Sequence, residues 1–101
     1  MLSRKDANQT IITNGLKDLG YFVIDLHKVG AGVPDILVIG PDFGRKCTSA
    51  LLVEIKTKSG KLNAIQKKWH GRIHDLYTDA PVIVAQDLDR ILEWFGRVSG
   101  I

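Results

Sequence analysis

The sequence predicts an α/β domain, a mixed sheet with helices packed on it, and three observations carry that reading. Two long segments repeat apolar residues at helical spacing. Short runs rich in β-branched and aromatic residues lie between turns bearing glycine and proline. The two kinds of segment follow one another in the order αβββαβα, which excludes an all-helical or all-β domain. At 101 residues, 45% of them hydrophobic and 25% charged, the chain has the size and balance of a single domain, 1–101, with its own core.

Residues 3–20 read as a first helix. Ser3 is placed to cap it, and Asp6 three positions on completes a capping-box-like start. Ile11, Ile12, Leu16 and Leu19 form one apolar arc, and Gly20 supplies the stop. Tyr21 to Ile24 is a first strand. Gly30, Ala31 and Gly32 make a loop, and Pro34 leads into a second strand from Asp35 to Ile39, where proline at a strand's first residue is tolerated. Gly40 to Gly44 reads as a turn, and Ala50 to Thr57 as a third strand. Helical periodicity returns over 61–78 through Leu62, Ile65, Trp69, Ile73, Leu76 and Tyr77. Pro81 precedes a fourth strand, Val82 to Ala85, and a last helix covers about 88–98.

Several function classes drop out. No apolar run approaches the roughly 20 residues that span a bilayer, and the first residues lack the apolar stretch of a secretion signal. Cys47 is the single cysteine, so no internal disulfide forms, and a reducing, cytoplasmic setting is expected. His27, His70 and His74 do not have zinc-site spacing with further ligands. Lys28 to Gly32 is not a Walker loop. The net charge of +3 permits a polyanionic partner without demonstrating one. Its distribution says more: Lys56, Lys58, Lys61, Lys67, Lys68 and Arg72 crowd into one stretch.

That stretch begins beside the candidate chemistry. Glu54 and Lys56 are two apart on the third strand, so their side chains leave the same face, with Val53 and Ile55 on the other. If the second and third strands pair as a hairpin, Asp35 converges on Glu54. Two carboxylates with remaining positions open to water suit Mg²⁺, and a neighbouring lysine can position the attacking water and offset phosphate charge. Taken alone, Glu-x-Lys on a strand is ordinarily a solvated pair worth about 0–1 kcal/mol, and Asp after Pro is a common turn element. Gln66 adds weight. It falls inside the apolar arc of the second long helix, where a glutamine needs hydrogen-bond partners or costs about 1–3 kcal/mol. On the first helix Asn8 falls inside the apolar arc, Gln9 just past its edge and Asp6 well outside; each is a candidate to approach from above the sheet, and capping is the more ordinary use of Asp6. Trp69, Trp94 and Phe95 could stack on bases, but at helical spacing such residues are more often core or interface.

The ordered set Gly32–Val38, Leu52–Lys56 and Leu62–Gln66 resembles the PD-(D/E)XK nuclease superfamily, with its restriction-endonuclease-like αβββαβ core. Within it, the segments from Asp6 to Gln9, Val29 to Asp35 and Gln66 to His70 resemble the VRR-NUC group and short stand-alone nucleases of phages and prophages. The resemblance implies metal-dependent hydrolysis of DNA phosphodiesters. It implies that Asp35 and Glu54, aided by the carbonyl of Ile55, bind Mg²⁺ or Mn²⁺. Lys56 would then hold water and phosphate, and Gln66 would support the site. Many members place a glutamate in the first helix, where Gln9 stands nearest the sheet edge here. Relatives that look like Holliday-junction resolvases imply a branched or junction-containing substrate, no membrane and a homodimer. The alternative is a non-catalytic nucleic-acid-binding module on a nuclease fold, and a third reading is a structural domain whose basic stretch is merely solvated.

Overall fold

The computed structural model describes residues 4–97. Ser3 and Val98, assigned above to a helix cap and to the last helix, lie outside them. Within this range the chain forms α1 (Arg4–Asp18), β1 (Phe22–Asp25), β2 (Ile36–Asp42), β3 (Cys47–Ile55), α2 (Ala64–Leu76), β4 (Val82–Ala85) and α3 (Leu88–Trp94). The strands make one sheet in the order β1-β2-β3-β4. The first three are antiparallel and β4 joins β3 in parallel, which requires the helical crossover that α2 provides. The expected mixed α/β architecture is present.

One sheet face carries the core. Ile36 and Val38 of β2 meet Leu51, Val53 and Ile55 of β3, and α1 and α3 cover them with Ile12, Leu16, Ile91, Leu92 and Phe95. Tyr21 closes the cluster, its ring 4.8 Å from that of Phe95 and its hydroxyl donating to the carbonyl of Pro41. Thus the apolar residues of α3 are core.

Four expectations need correction. The second strand does not stop at Ile39, because Gly40, Pro41 and Asp42 stay paired with Ser49, Thr48 and Cys47. Proline is accommodated because β1 pairs no further than Ile39, leaving β2 with one neighbour at Pro41. The turn lies beyond: Asp42 accepts from the Arg45 amide and the Ser49 hydroxyl, and Lys46 takes a φ of 56°. The third strand accordingly begins at Cys47 and ends at Ile55. The second long helix starts at Ala64, where Asn63 accepts from the Gln66 amide and Gln66 reaches back to the Asn63 amide.

The apolar arcs were also too wide. In α1 only Ile12 and Leu16 of the four are buried, while Ile11 is 68% exposed. In α2, Ile65, Leu76 and Tyr77 are each more than 60% exposed, and the buried residue is His70. The cause is the position of α2. The core cluster takes no residue from α2, so the helix's periodicity finds little of the core to pack against.

Candidate active site

Extending the β2–β3 register by one step from the Ile36–Val53 pair sets Asp35 opposite Glu54. Directly opposed side chains on an antiparallel pair stand about 5 Å apart at Cβ, so the ladder itself brings the two carboxylates together. Both are buried, Asp35 at 7% exposure and Glu54 at 0%. A second contact pins the geometry: the Ile55 amide donates to Asp35 Oδ2 at 2.8 Å. Glu54 therefore does not lie on a solvated strand face.

Such a pair strains its own ionisation. Burial pushes the Glu54 carboxyl up to about 7, and its hydrogen bond with Asp35 and the charge of Asp35 push in the same direction. Lys5 and Lys56 pull it down without cancelling the rise. Glu54 Oε1 is buried with no hydrogen-bond partner. An orphaned carboxylate oxygen beside a second carboxylate is a donor set short of positive charge, and it fits a hard divalent cation. Among the described residues no three or more His, Cys, Asp or Glu side chains converge. Remaining ligands would be carbonyl, amide or water oxygens, as Mg²⁺ accepts.

Lys56 follows at the end of β3. Its Nζ lies 3.8 Å from Glu54 Oε2 and donates to Gln66 Oε1 at 2.8 Å. That glutamine oxygen also accepts from the Asn63 amide, so the capping box of α2 holds the lysine in place. Gln66 was expected to face inward and find polar partners, and these are its partners. The main chain of Lys56 is tied down from the other side. Asn8 donates from its amide to the Lys56 carbonyl at 3.2 Å and to the Gln86 carbonyl at 3.1 Å.

Sequence reasoning passed over Lys5. Its ammonium sits between the carboxylates, 3.2 Å from Asp35 Oδ1 and 3.4 Å from Glu54 Oε2. Burial works to lower its pKa, but Asp35 and then Glu54 outweigh this and leave it raised. A signal existed in the sequence: Lys5 precedes the buried Ile12 by seven residues, two helical turns, and so shares its inward side. Gln9, one turn after Lys5, lines the same cleft, as does Asp6.

The cleft itself has a volume of about 750 Å³ and runs from Asp35 and Gln66, past α1, to the loop at Gly30–Val33 and to Asp25 and His27. Its loop wall is tight. Gly32 has a φ of 82°, and a Cβ there would lie 2.7 Å from the Ile65 carbonyl oxygen. His27 Nδ1 lies 2.7 Å from Asp25 Oδ1, and the His27 amide bonds the same oxygen, which holds the Asp25 carboxyl below its usual range. Lys58, Lys61, Lys67, Lys68 and Arg72 are exposed.

This arrangement of strands and helices occurs elsewhere. A solved VRR_NUC domain is similar to this chain with a TM-score of 0.69, at 23% sequence identity, over 95% of this chain and 98% of that one. The fold is that of a VRR_NUC domain. No family model matches the sequence, and no curated protein does. In this VRR_NUC-type fold Asp35, Glu54, Lys56 and Gln66 meet at one end of the cleft, with Gln9 along its wall. The amide of Ile55 is engaged by Asp35, and its side chain is core. His70, in the Gln66–His70 segment, is buried with Nε2 unpartnered; burial, then His74 and Lys56, lower its pKa.

Proposed function

We propose that the chain is a divalent-cation-dependent endodeoxyribonuclease that hydrolyses DNA phosphodiester bonds, with a preference for branched, flap or junction-containing DNA. One observation carries the reading: two buried, opposed carboxylates converge with a lysine whose ammonium is held by a helix-capping glutamine, at the end of an open cleft. A solvated surface pair would show neither the burial nor the anchoring. The VRR_NUC-type fold supports the same activity class.

On this reading Asp35 and Glu54 hold Mg²⁺ or Mn²⁺, with the Ile55 carbonyl as a neutral ligand. The chemistry such a cation supplies when bound is Lewis-acid polarisation of the phosphate and acidification of water. Lys56 donates to a non-bridging phosphate oxygen or to the attacking water, offsetting the charge that grows as the phosphorus–oxygen bond breaks. Gln66 spares Lys56 a search among rotamers, and Asn8 keeps its backbone in register with β4. The exposed lysines from Lys58 to Lys68 and Arg72 track phosphates along the strand, a sequence-independent contact. A homodimer suits a two-fold junction, and the exposed Ile65, Leu76 and Tyr77 of α2 give it an apolar stripe to use.

The test is a cleavage panel of four-way junction, flap, linear duplex and single-stranded DNA with Mg²⁺ or Mn²⁺, resolved on denaturing gels. Internal cuts that depend on the cation, favour branched DNA and vanish in Glu54→Ala and Lys56→Ala are the expected result. Wild-type protein that binds these DNAs in EDTA but cuts none with either cation would instead be a non-catalytic binding module.

A further inference from the structure

The carboxylate pair already contains a cation, and it belongs to the protein. Lys5 Nζ lies 3.2 Å from Asp35 Oδ1 and 3.4 Å from Glu54 Oε2, whereas Lys56 Nζ lies 3.8 Å from Glu54 and spends its short hydrogen bond on Gln66. The two lysines are therefore not equivalent. Lys56 directly follows β3 and is tethered by the capping box of α2. Lys5 sits in the first turn of α1, its side chain 37% exposed, and it enters the pair from the open side.

We propose that Lys5 is a positioning residue that acts as a tethered counter-ion: its ammonium occupies the space between Asp35 and Glu54 and is displaced into the cleft when a divalent cation binds. The proposal rests on the metal-dependent reading above and adds to it a competitor built into the chain. Three physical points support it. Two buried carboxylates repel and would drift apart or share a proton without a nearby positive charge. A long, flexible, half-exposed lysine can bridge them and leave without moving the backbone, because its stem has four rotatable carbons and its base is on the helix surface. A doubly charged ion interacts with the same oxygens more strongly than an ammonium does, so exchange favours the metal once it is present. The released ammonium stays inside the cleft that Asp35 and Gln66 line, where a DNA phosphate is the anion it would meet.

Competition has a measurable consequence. A site that its own lysine fills about nine-tenths of the time binds metal about tenfold more weakly than the empty site, a difference of about 1.4 kcal/mol. The experiment titrates Mn²⁺ into the DNA-free chain by calorimetry, for wild type, Lys5→Met, Lys5→Gln and Glu54→Gln, with thermal melts in EDTA and in saturating Mn²⁺. Both Lys5 variants should bind Mn²⁺ about tenfold more tightly than wild type, melt lower in EDTA and gain more from Mn²⁺, while Glu54→Gln loses the binding. A purely structural ion pair would lower the melting temperature without tightening Mn²⁺. Lys5 variants that bind Mn²⁺ no more tightly than wild type overturn the proposal and leave the metal site standing. Failure of folded wild type and Lys5 variants alike to bind Mn²⁺ overturns the metal reading and the proposal with it.

Discussion

Glu54 offers the sharpest quantitative consequence of the site, because the feature that suits it to a cation costs the cation-free protein stability. Its carboxyl titrates near pH 4.5 when unfolded and is raised to about 7 in the fold, chiefly by burial and then by Asp35. A raised carboxyl contributes stability fully below about pH 4.5 and loses it as pH rises through about 7. At about 1.4 kcal/mol per pH unit, the penalty above pH 8 is about 3 kcal/mol. Glu54→Gln keeps the shape and removes the charge, and its amide can donate to Asp35. The variant should therefore be more stable than wild type by about 3 kcal/mol at pH 8 in EDTA, but by only about 1 kcal/mol at pH 5. For a domain of this size that is a rise in melting temperature on the order of 10 °C at pH 8. Urea unfolding at the two pH values, followed by circular dichroism, measures it. Saturating Mn²⁺ should reverse the ranking, since a ligand that binds only the folded wild type stabilises it by mass action. Equal gains at pH 5 and pH 8, or no gain at pH 8, would refute the argument that burial of an ionised Glu54 strains the fold.

Other consequences follow from single contacts. Gln66→Ala removes the Gln66 half of the α2 capping box and the anchor of Lys56, while the Asn63 cap remains; it should cost about 1 kcal/mol in urea unfolding while lowering cleavage of the preferred DNA by 10-fold or more. Asn8→Ala removes the bonds to the part-buried Lys56 carbonyl and the exposed Gln86 carbonyl and should cost about 1 kcal/mol, read as a lower melting temperature, with reduced turnover because the end of β3 is loosened. Gly32→Ala combines a left-handed backbone with a Cβ placed 2.7 Å from the Ile65 carbonyl; a loss of about 2 kcal/mol or more is expected, visible in the same melts.

The sites of success and failure in reading the sequence have a common cause. Runs such as Ile36–Ile39 and Leu51–Ile55 declare strands because β-branched and aliphatic residues suit a ladder packed on one face by the core, and the spacing of Glu54 and Lys56 dictates a shared face whatever the neighbours are. Boundaries fared worse where a later partner decides them. Pro41 remains in β2 because β1 ends opposite Ile39, and nothing local to Gly40–Pro41 reveals where β1 ends. Periodicity also overstated burial: Ile11, Ile65 and Leu76 keep helical phase yet stay exposed, since phase tells which way a residue points and not whether anything stands there.

The sequence by itself determined the α/β class, the element order and the candidates Asp35, Glu54, Lys56 and Gln66, because those follow from local periodicity and from residue chemistry at short range. Only the tertiary structure decided that Glu54 is buried with an unpartnered oxygen, that the Gln66 cap grips Lys56, and that Lys5 reaches the carboxylates from a helix 49 positions away from Glu54 in the chain. Burial and long-range charge depend on what the rest of the chain places nearby. A side chain's own sequence neighbourhood carries no record of that.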